Sequence, residues 1–168
     1  ASYLIKHDFS ANDLEPQVAT PHSPANSTEI KNIEKVQIDK FYIGACTGAK
    51  LVDLSMAAKI LKNNKVAVGK QLTVAPASSQ IYNQASENGV MSILTEAGAK
   101  LLPPGCGACA GYGAGVLENN EVCLASTARN FQGRMGASTS HVYLGSPYTV
   151  AASAVTGAIT DPREFLED

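Results

Sequence analysis

The chain has 168 residues, 45% of them hydrophobic and 17% charged, a composition that suits one globular domain with enough apolar material for its own core. Its formal net charge of −2 gives no electrostatic ground for nucleic acid or an anionic membrane as partner, and no apolar run approaches a membrane-spanning length. The first residues lack the apolar core and cleavage pattern of a secretory signal, which points to a cytoplasmic protein, or one of an organelle matrix; they also lack a starting Met, which hints at something upstream.

Residues 1–37 are polar, carry Pro16, Pro21 and Pro24 and show no sustained period, so an extended N-terminal arm is expected there. From residue 38 to 168 a single α/β domain is expected. Lys40–Gly44 reads as a short buried strand, and Leu51, Leu54, Ala58 and Leu61 give the helix after it one apolar face. Gln71–Ala75 is a second strand, stopped by Pro76. Ser78 or Ser79 then caps a helix that ends at Gly89, and a further helix runs from Val90 to Ala97. Lys100–Leu102, Val122–Ala125 and Val142–Leu144 are the remaining strands. Ser146 as cap, Pro147 in the first turn and Gly157 past the end bracket the last helix, and Asp161-Pro162 opens one more helical turn.

Strands alternating with helices predict a three-layer α/β/α domain with a mostly parallel sheet and helices on both faces. Ligands of such sheets bind beyond the carboxyl ends of the strands. The segments that follow the strands include Ala45-Cys46-Thr47-Gly48, Pro103-Pro104-Gly105-Cys106-Gly107-Ala108-Cys109 and Ser126-Thr127-Ala128-Arg129. Three cysteines and an arginine, distant in sequence, should therefore meet at one edge of the sheet.

The four cysteines are Cys46, Cys106, Cys109 and Cys123. Without a secretory signal, the Cys106-x-x-Cys109 pair favours metal or redox chemistry over structural disulfides. Its glycines let the backbone fold tightly round a bound group, and Cys46 supplies a third thiolate. Cys123 lies inside an apolar strand and reads as core. Three thiolates on a [4Fe–4S] cluster leave one iron without a protein ligand, open to a substrate hydroxyl or carboxylate. A zinc site remains an alternative, with His22 or His141 as further ligand, as does a pair of buried thiols. Arg129 and Arg134 flank a glycine beyond a strand end. They read as a carboxylate clamp, because the guanidinium fork pairs bidentately with carboxylate, or else as solvated surface charges.

Ile43-Gly44-Ala45-Cys46-Thr47-Gly48, Pro104-Gly105-Cys106-Gly107-Ala108-Cys109-Ala110-Gly111 and Ser126-Thr127-Ala128-Arg129-Asn130-Phe131-Gln132-Gly133-Arg134-Met135-Gly136 resemble segments of the aconitase superfamily. The tail from Tyr143 to Phe165 is most similar to isopropylmalate dehydratase large subunits and homoaconitases. The resemblance covers roughly residues 14–166. It implies the iron–sulfur domain type of that superfamily, with a [4Fe–4S] cluster on Cys46, Cys106 and Cys109, and with Arg129 and Arg134 holding the carboxylates of a hydroxy-dicarboxylate or hydroxy-tricarboxylate. The implied reaction is dehydration to a cis-alkene and rehydration at the neighbouring carbon, most of all that of 3-isopropylmalate dehydratase in leucine biosynthesis. Homoaconitase and dimethylmalate dehydratase are the nearest alternatives, and a non-catalytic metal-binding or redox-sensing module is a further one. The match is to the third α/β domain alone. Two more α/β domains and a swivelling domain or small subunit, which carries the base, are implied as partners. By itself the chain is expected to be inactive and, prepared in air, to hold little or no cluster. Two positions depart from the family's pattern: Ala128 stands where Asn is usual, and Gly48 where Asn is frequent, although Gly occurs there in some members.

Overall fold

In the computed structural model, which describes residues 2–166, seven strands form one sheet in the order β2-β1-β7-β6-β3-β4-β5. Residues 1, 167 and 168, at the two ends of the expected arm and domain, lie outside the described residues. The five long-range strands are β3 (Lys40–Gly44), β4 (Gln71–Ala75), β5 (Lys100–Leu101), β6 (Val122–Ala125) and β7 (His141–Leu144), and all pair in parallel. A mostly parallel α/β sheet is therefore present, as the alternation of strands and helices predicts.

The arm expected over residues 1–37 is in part sheet. Gln17–Ala19 (β1) and Ser27–Glu29 (β2) form an antiparallel hairpin, and Ala19 pairs with Leu144 at the sheet edge. Strands of three residues are too short to show a period of two, which is why the sequence gives no sign of them. The arm is also tied down by charge: Glu15 pairs with Lys31 and with Arg163 of the C-terminal turn.

Chain direction decides the layers. From β3 the chain runs outward through β4 to β5, then jumps back across to β6 and on to β7, so its two halves leave β3 and β6 in opposite directions. Right-handed crossovers then place the connections of the two halves on opposite faces. The outward half uses helices: α2 (Leu51–Leu61), α3 (Ser79–Glu87) and α4 (Val90–Glu96), which α5 (Pro147–Thr156) joins after β7. Phe41, Ile43, Leu72, Val74 and Leu124 point from the sheet into one core with Leu54, Leu61, Leu94 and Val150 of these helices.

The helices expected on the second face are absent among the described residues. That face, with Tyr42, Cys123, Ala125 and Val142, is covered by coil: residues 102–121 with a 3-10 turn over Gly107–Ala110, and residues 126–140. The physical reason is composition. Gly105, Gly107, Gly111, Gly113 and Gly115 hold positive φ, a backbone no helix interior can use. The third layer is therefore irregular, and it is the layer that carries two of the cysteines.

Candidate metal centre

β3 and β6 lie side by side while the chain departs from them in opposite directions, which makes a topological switch point with a crevice beyond their carboxyl ends. Cys46 enters from β3. Ala45 takes a left-handed φ of 70°, a costly backbone for a residue with a Cβ, and turns the strand into a single helical turn, α1 (Ala45–Gly48), that exposes Cys46. Ser126, at the end of β6, rivets this turn: its Oγ donates to the Gly48 carbonyl (2.8 Å) and accepts from the Gly44 amide (3.3 Å).

That rivet explains the glycine at position 48. A Cβ there would stand 1.9 Å from the Ser126 carbonyl oxygen. No side chain fits unless the turn moves off β6. Gly48→Ala is expected to lower the stability of the metal-free chain by about 1–3 kcal/mol, the usual cost of overpacking, and to displace Cys46. A thermal melt, with the alkylation rate of Cys46, checks both.

The other two cysteines arrive from β5. Cys106 is exposed, and Cys109 is 7% exposed within the 3-10 turn, where its amide donates to the Cys106 carbonyl (3.0 Å). The Arg134 Nε donates to the Cys109 carbonyl at 2.8 Å. Burial pushes the Cys109 thiol up; the hydrogen bond and charge of Arg134 pull it down, and the nearby Cys106 and Cys46 thiols push it up again. The Cys109 thiol is thus within reach of the charges of Cys106, in its own turn, and of Cys46, from the segment after β3.

Cys123 is elsewhere in kind. It is fully buried in β6, in the core with Met135 and Val142, and burial pushes its thiol up to about 12. A thiol raised above its ordinary 9.0 stabilises the fold fully below pH 9 and loses that contribution as pH rises toward 12. Metal-free protein should therefore lose stability above pH 9 by up to about 1.4 kcal/mol per pH unit from this group. Chemical denaturation at several pH values checks this, and Cys123→Ala should give the shallower slope.

Of the two arginines expected to clamp carboxylates, Arg134 lies against the Cys109 backbone. Arg129 sits in the loop after β6 at the same edge, exposed, with its Nη1 folded back on the Ala128 carbonyl (3.1 Å). Ala128 offers only that carbonyl. Asn130, unmarked as a site residue in the sequence, is fully buried; its Nδ2 donates to the carbonyls of Thr20 (2.9 Å) and Val142 (3.1 Å) and so anchors the arginine loop to β1 and β7. Ser126 was signalled by a Ser-Thr pair at a strand end, whereas Asn130 gives no signal in a single sequence.

Among the described residues, no group of three or more His, Cys, Asp or Glu side chains is gathered round one point as a single metal ion needs. His22 and His141 meet at a tilt of 39° with ring centroids 5.2 Å apart, and His141 is at the amino end of β7, opposite the cysteine edge. They offer no fourth ligand to a zinc ion on the cysteines. A four-iron cluster makes a different demand, one thiolate for each ligated iron, spaced round its outside. The donor set suits it in kind: three thiols, one in the turn after β3 and two in the loop after β5, of which Cys46 and Cys106 are exposed. A separate groove of about 530 Å³ between Ile30, Ile33 and Ile159 contains none of these residues.

Comparison with known proteins shows the family. The model of the aconitase family (aconitate hydratase) matches residues 28–157. The chain is 47% identical over 166 residues to the 3-isopropylmalate dehydratase large subunit 2 of Archaeoglobus fulgidus, covering 99% of this chain and 40% of that protein. It is 47% identical over 165 residues to the probable methanogen homoaconitase large subunit of Methanosarcina mazei, covering 98% and 41%. To the 3-isopropylmalate dehydratase large subunit 1 of Thermotoga maritima it is 44% identical over 168 residues, covering 99% and 40%. The chain thus spans about 40% of the length of these relatives.

Proposed function

Because this chain belongs to the aconitase family, we propose that it is the cluster-binding domain of a hydro-lyase acting on a malate-type hydroxy acid, with 3-isopropylmalate, in leucine biosynthesis, as first candidate. What supports the reading is that Cys46 follows β3 while Cys106 and Cys109 follow the parallel strand β5, so both segments leave the same edge of the sheet, with Arg134 bonded to the Cys109 carbonyl. These three cysteines would hold a [4Fe–4S] cluster, leaving one iron without a ligand from this chain. When bound, such a cluster supplies a Lewis acid that takes the substrate hydroxyl and a carboxylate.

This chain's own groups do the rest of the binding. Arg134 is fixed through Nε to the Cys109 carbonyl, and its terminal nitrogens would pair with a carboxylate. Arg129 is in the adjoining loop and needs only to leave the Ala128 carbonyl to reach a second one. The base would come from another domain or a small subunit. The names of the relatives, each a large subunit, favour such a partner.

The test is turnover by the anaerobically reconstituted protein with the remaining domains and small subunit co-expressed. Isomerisation of 2-isopropylmalate to 3-isopropylmalate, lost in Cys46→Ala, is the expected result. Equal identity to a homoaconitase large subunit favours a longer hydroxy-tricarboxylate as the second substrate to assay. Iron uptake with no turnover of either acid would instead favour a non-catalytic metal-binding or redox-sensing module, which the bare Ala128 side chain supports.

A further inference from the structure

Two glycines flank the cysteines at unequal places: Gly44 stands two residues before Cys46, and Gly107 directly after Cys106. One side chain lies beside both. Tyr42, in the middle of β3, is 2% exposed and points into the coil-covered face of the sheet. A Cβ on Gly44 would stand 2.1 Å from its ring carbon Cε1, and one on Gly107 would stand 3.6 Å from its hydroxyl. The Gly44 backbone can close over the ring because it carries no side chain; at Gly107 the positive φ of 46°, and not the ring, is what favours glycine.

A buried phenol must find a hydrogen-bond partner or lose the solvation it had in water. The Tyr42 hydroxyl donates to the Cys106 carbonyl at 3.2 Å, the same oxygen that accepts the Cys109 amide at 3.0 Å. At its other end Tyr42 is locked to β6, since its carbonyl accepts from the Ser126 amide at 2.9 Å. Ser126 in turn holds the Cys46 turn through Gly44 and Gly48. A continuous path of short contacts therefore runs from the Cys46 turn through Ser126 and Tyr42 to the carbonyl that joins Cys106 and Cys109.

We propose that Tyr42 is a positioning residue: its ring and hydroxyl fix the Cys106–Cys109 turn against the Cys46 strand, and so set the spacing of the three thiols that the cluster spans. The inference rests on the cluster reading given above. In β3 itself the residue has no other polar duty, since any large apolar side chain would fill that core position.

Tyr42→Phe isolates the hydroxyl, because the ring remains and the Cys106 carbonyl keeps the Cys109 amide. In the metal-free chain, amide exchange at residues 107–111 should rise about fivefold, the factor that one net hydrogen bond is worth, while β4 and α5 stay unchanged. In the anaerobically reconstituted chain, iron should be lost about fivefold faster on exposure to air, followed by the decay of the visible absorption of the cluster. Exchange that is unchanged at residues 107–111, or raised equally throughout the core, would overturn the assignment. So would equal rates of iron loss in the two proteins. If the unaltered chain takes up no iron at all, the cluster reading falls and the role of Tyr42 falls with it; if it takes up iron and Tyr42→Phe behaves identically, Tyr42 alone was misassigned.

Discussion

Cys46→Ala and Cys106→Ala are each expected to leave a folded chain that cannot assemble a four-iron cluster. Both thiols are exposed and neither belongs to the hydrophobic core, so their removal should change stability by no more than about 0.5 kcal/mol. In the proposed site each would hold a separate iron, and two thiolates would leave the cluster one protein ligand short. Iron and sulfide content should fall close to zero, and the activity of the assembled enzyme to background. Cys123→Ala should do the reverse. It removes a fully buried side chain packed with Tyr42, Ala125 and Val142, at a cost of about 1–2 kcal/mol, and leaves iron uptake intact. Denaturant melts run beside iron and sulfide assays separate the two behaviours. A cluster retained in Cys46→Ala, or lost in Cys123→Ala, would reassign the ligands.

The second large effect concerns Arg134. In the assembled enzyme with substrate bound, Arg134→Ala should remove a charge-assisted carboxylate contact worth roughly 2–5 kcal/mol, which is about a 30- to 5,000-fold loss in kcat/KM. It also frees the Cys109 carbonyl that Nε now holds, so part of the loss should fall on kcat. Arg134→Lys is not expected to rescue: an ammonium cannot hold the Cys109 carbonyl and a carboxylate in the planar fork geometry. Removing the guanidinium also takes away what lowers the Cys109 thiol, so the pH at which metal loads should move upward. Arg129→Ala, whose side chain holds only a neighbouring carbonyl, should raise KM with less effect on kcat. Steady-state kinetics of the three variants decides between these outcomes.

Much of this architecture is legible from residue spacing, for reasons that can be named. α2 shows itself because Leu54, Ala58 and Leu61 repeat at helical spacing, and all three are buried. α5 is bracketed by Ser146, whose side chain accepts from the Thr149 amide, and by Gly157 in a left-handed backbone. Alternation of such segments is enough to predict parallel strands and a common edge for the loops that follow them. What spacing cannot give is the content of a layer without periodicity. The coil over the second face follows from glycines whose conformation is set by tertiary contact, and the β1–β2 hairpin has strands too short to carry a pattern. The same holds within the site. Cysteines announce their chemistry by residue type, whereas Tyr42, Ser126 and Asn130 act through contacts made across 64, 78 and 110 positions of chain. Gly48 is the clearest case: beside a family that often has Asn there it reads as a lost polar contact, and in the fold it is the one residue that lets Ser126 hold the turn.

The measurement that bears most directly on the whole account is the iron and sulfide content of the chain after anaerobic reconstitution, taken with its low-temperature electron paramagnetic resonance spectrum. A four-iron cluster on Cys46, Cys106 and Cys109 predicts about four irons and four sulfides per chain, a cluster signal on reduction, and loss of both in Cys106→Ala. A folded chain that binds a single divalent ion or none, with no acid-labile sulfide and no dependence on Cys106, would contradict it.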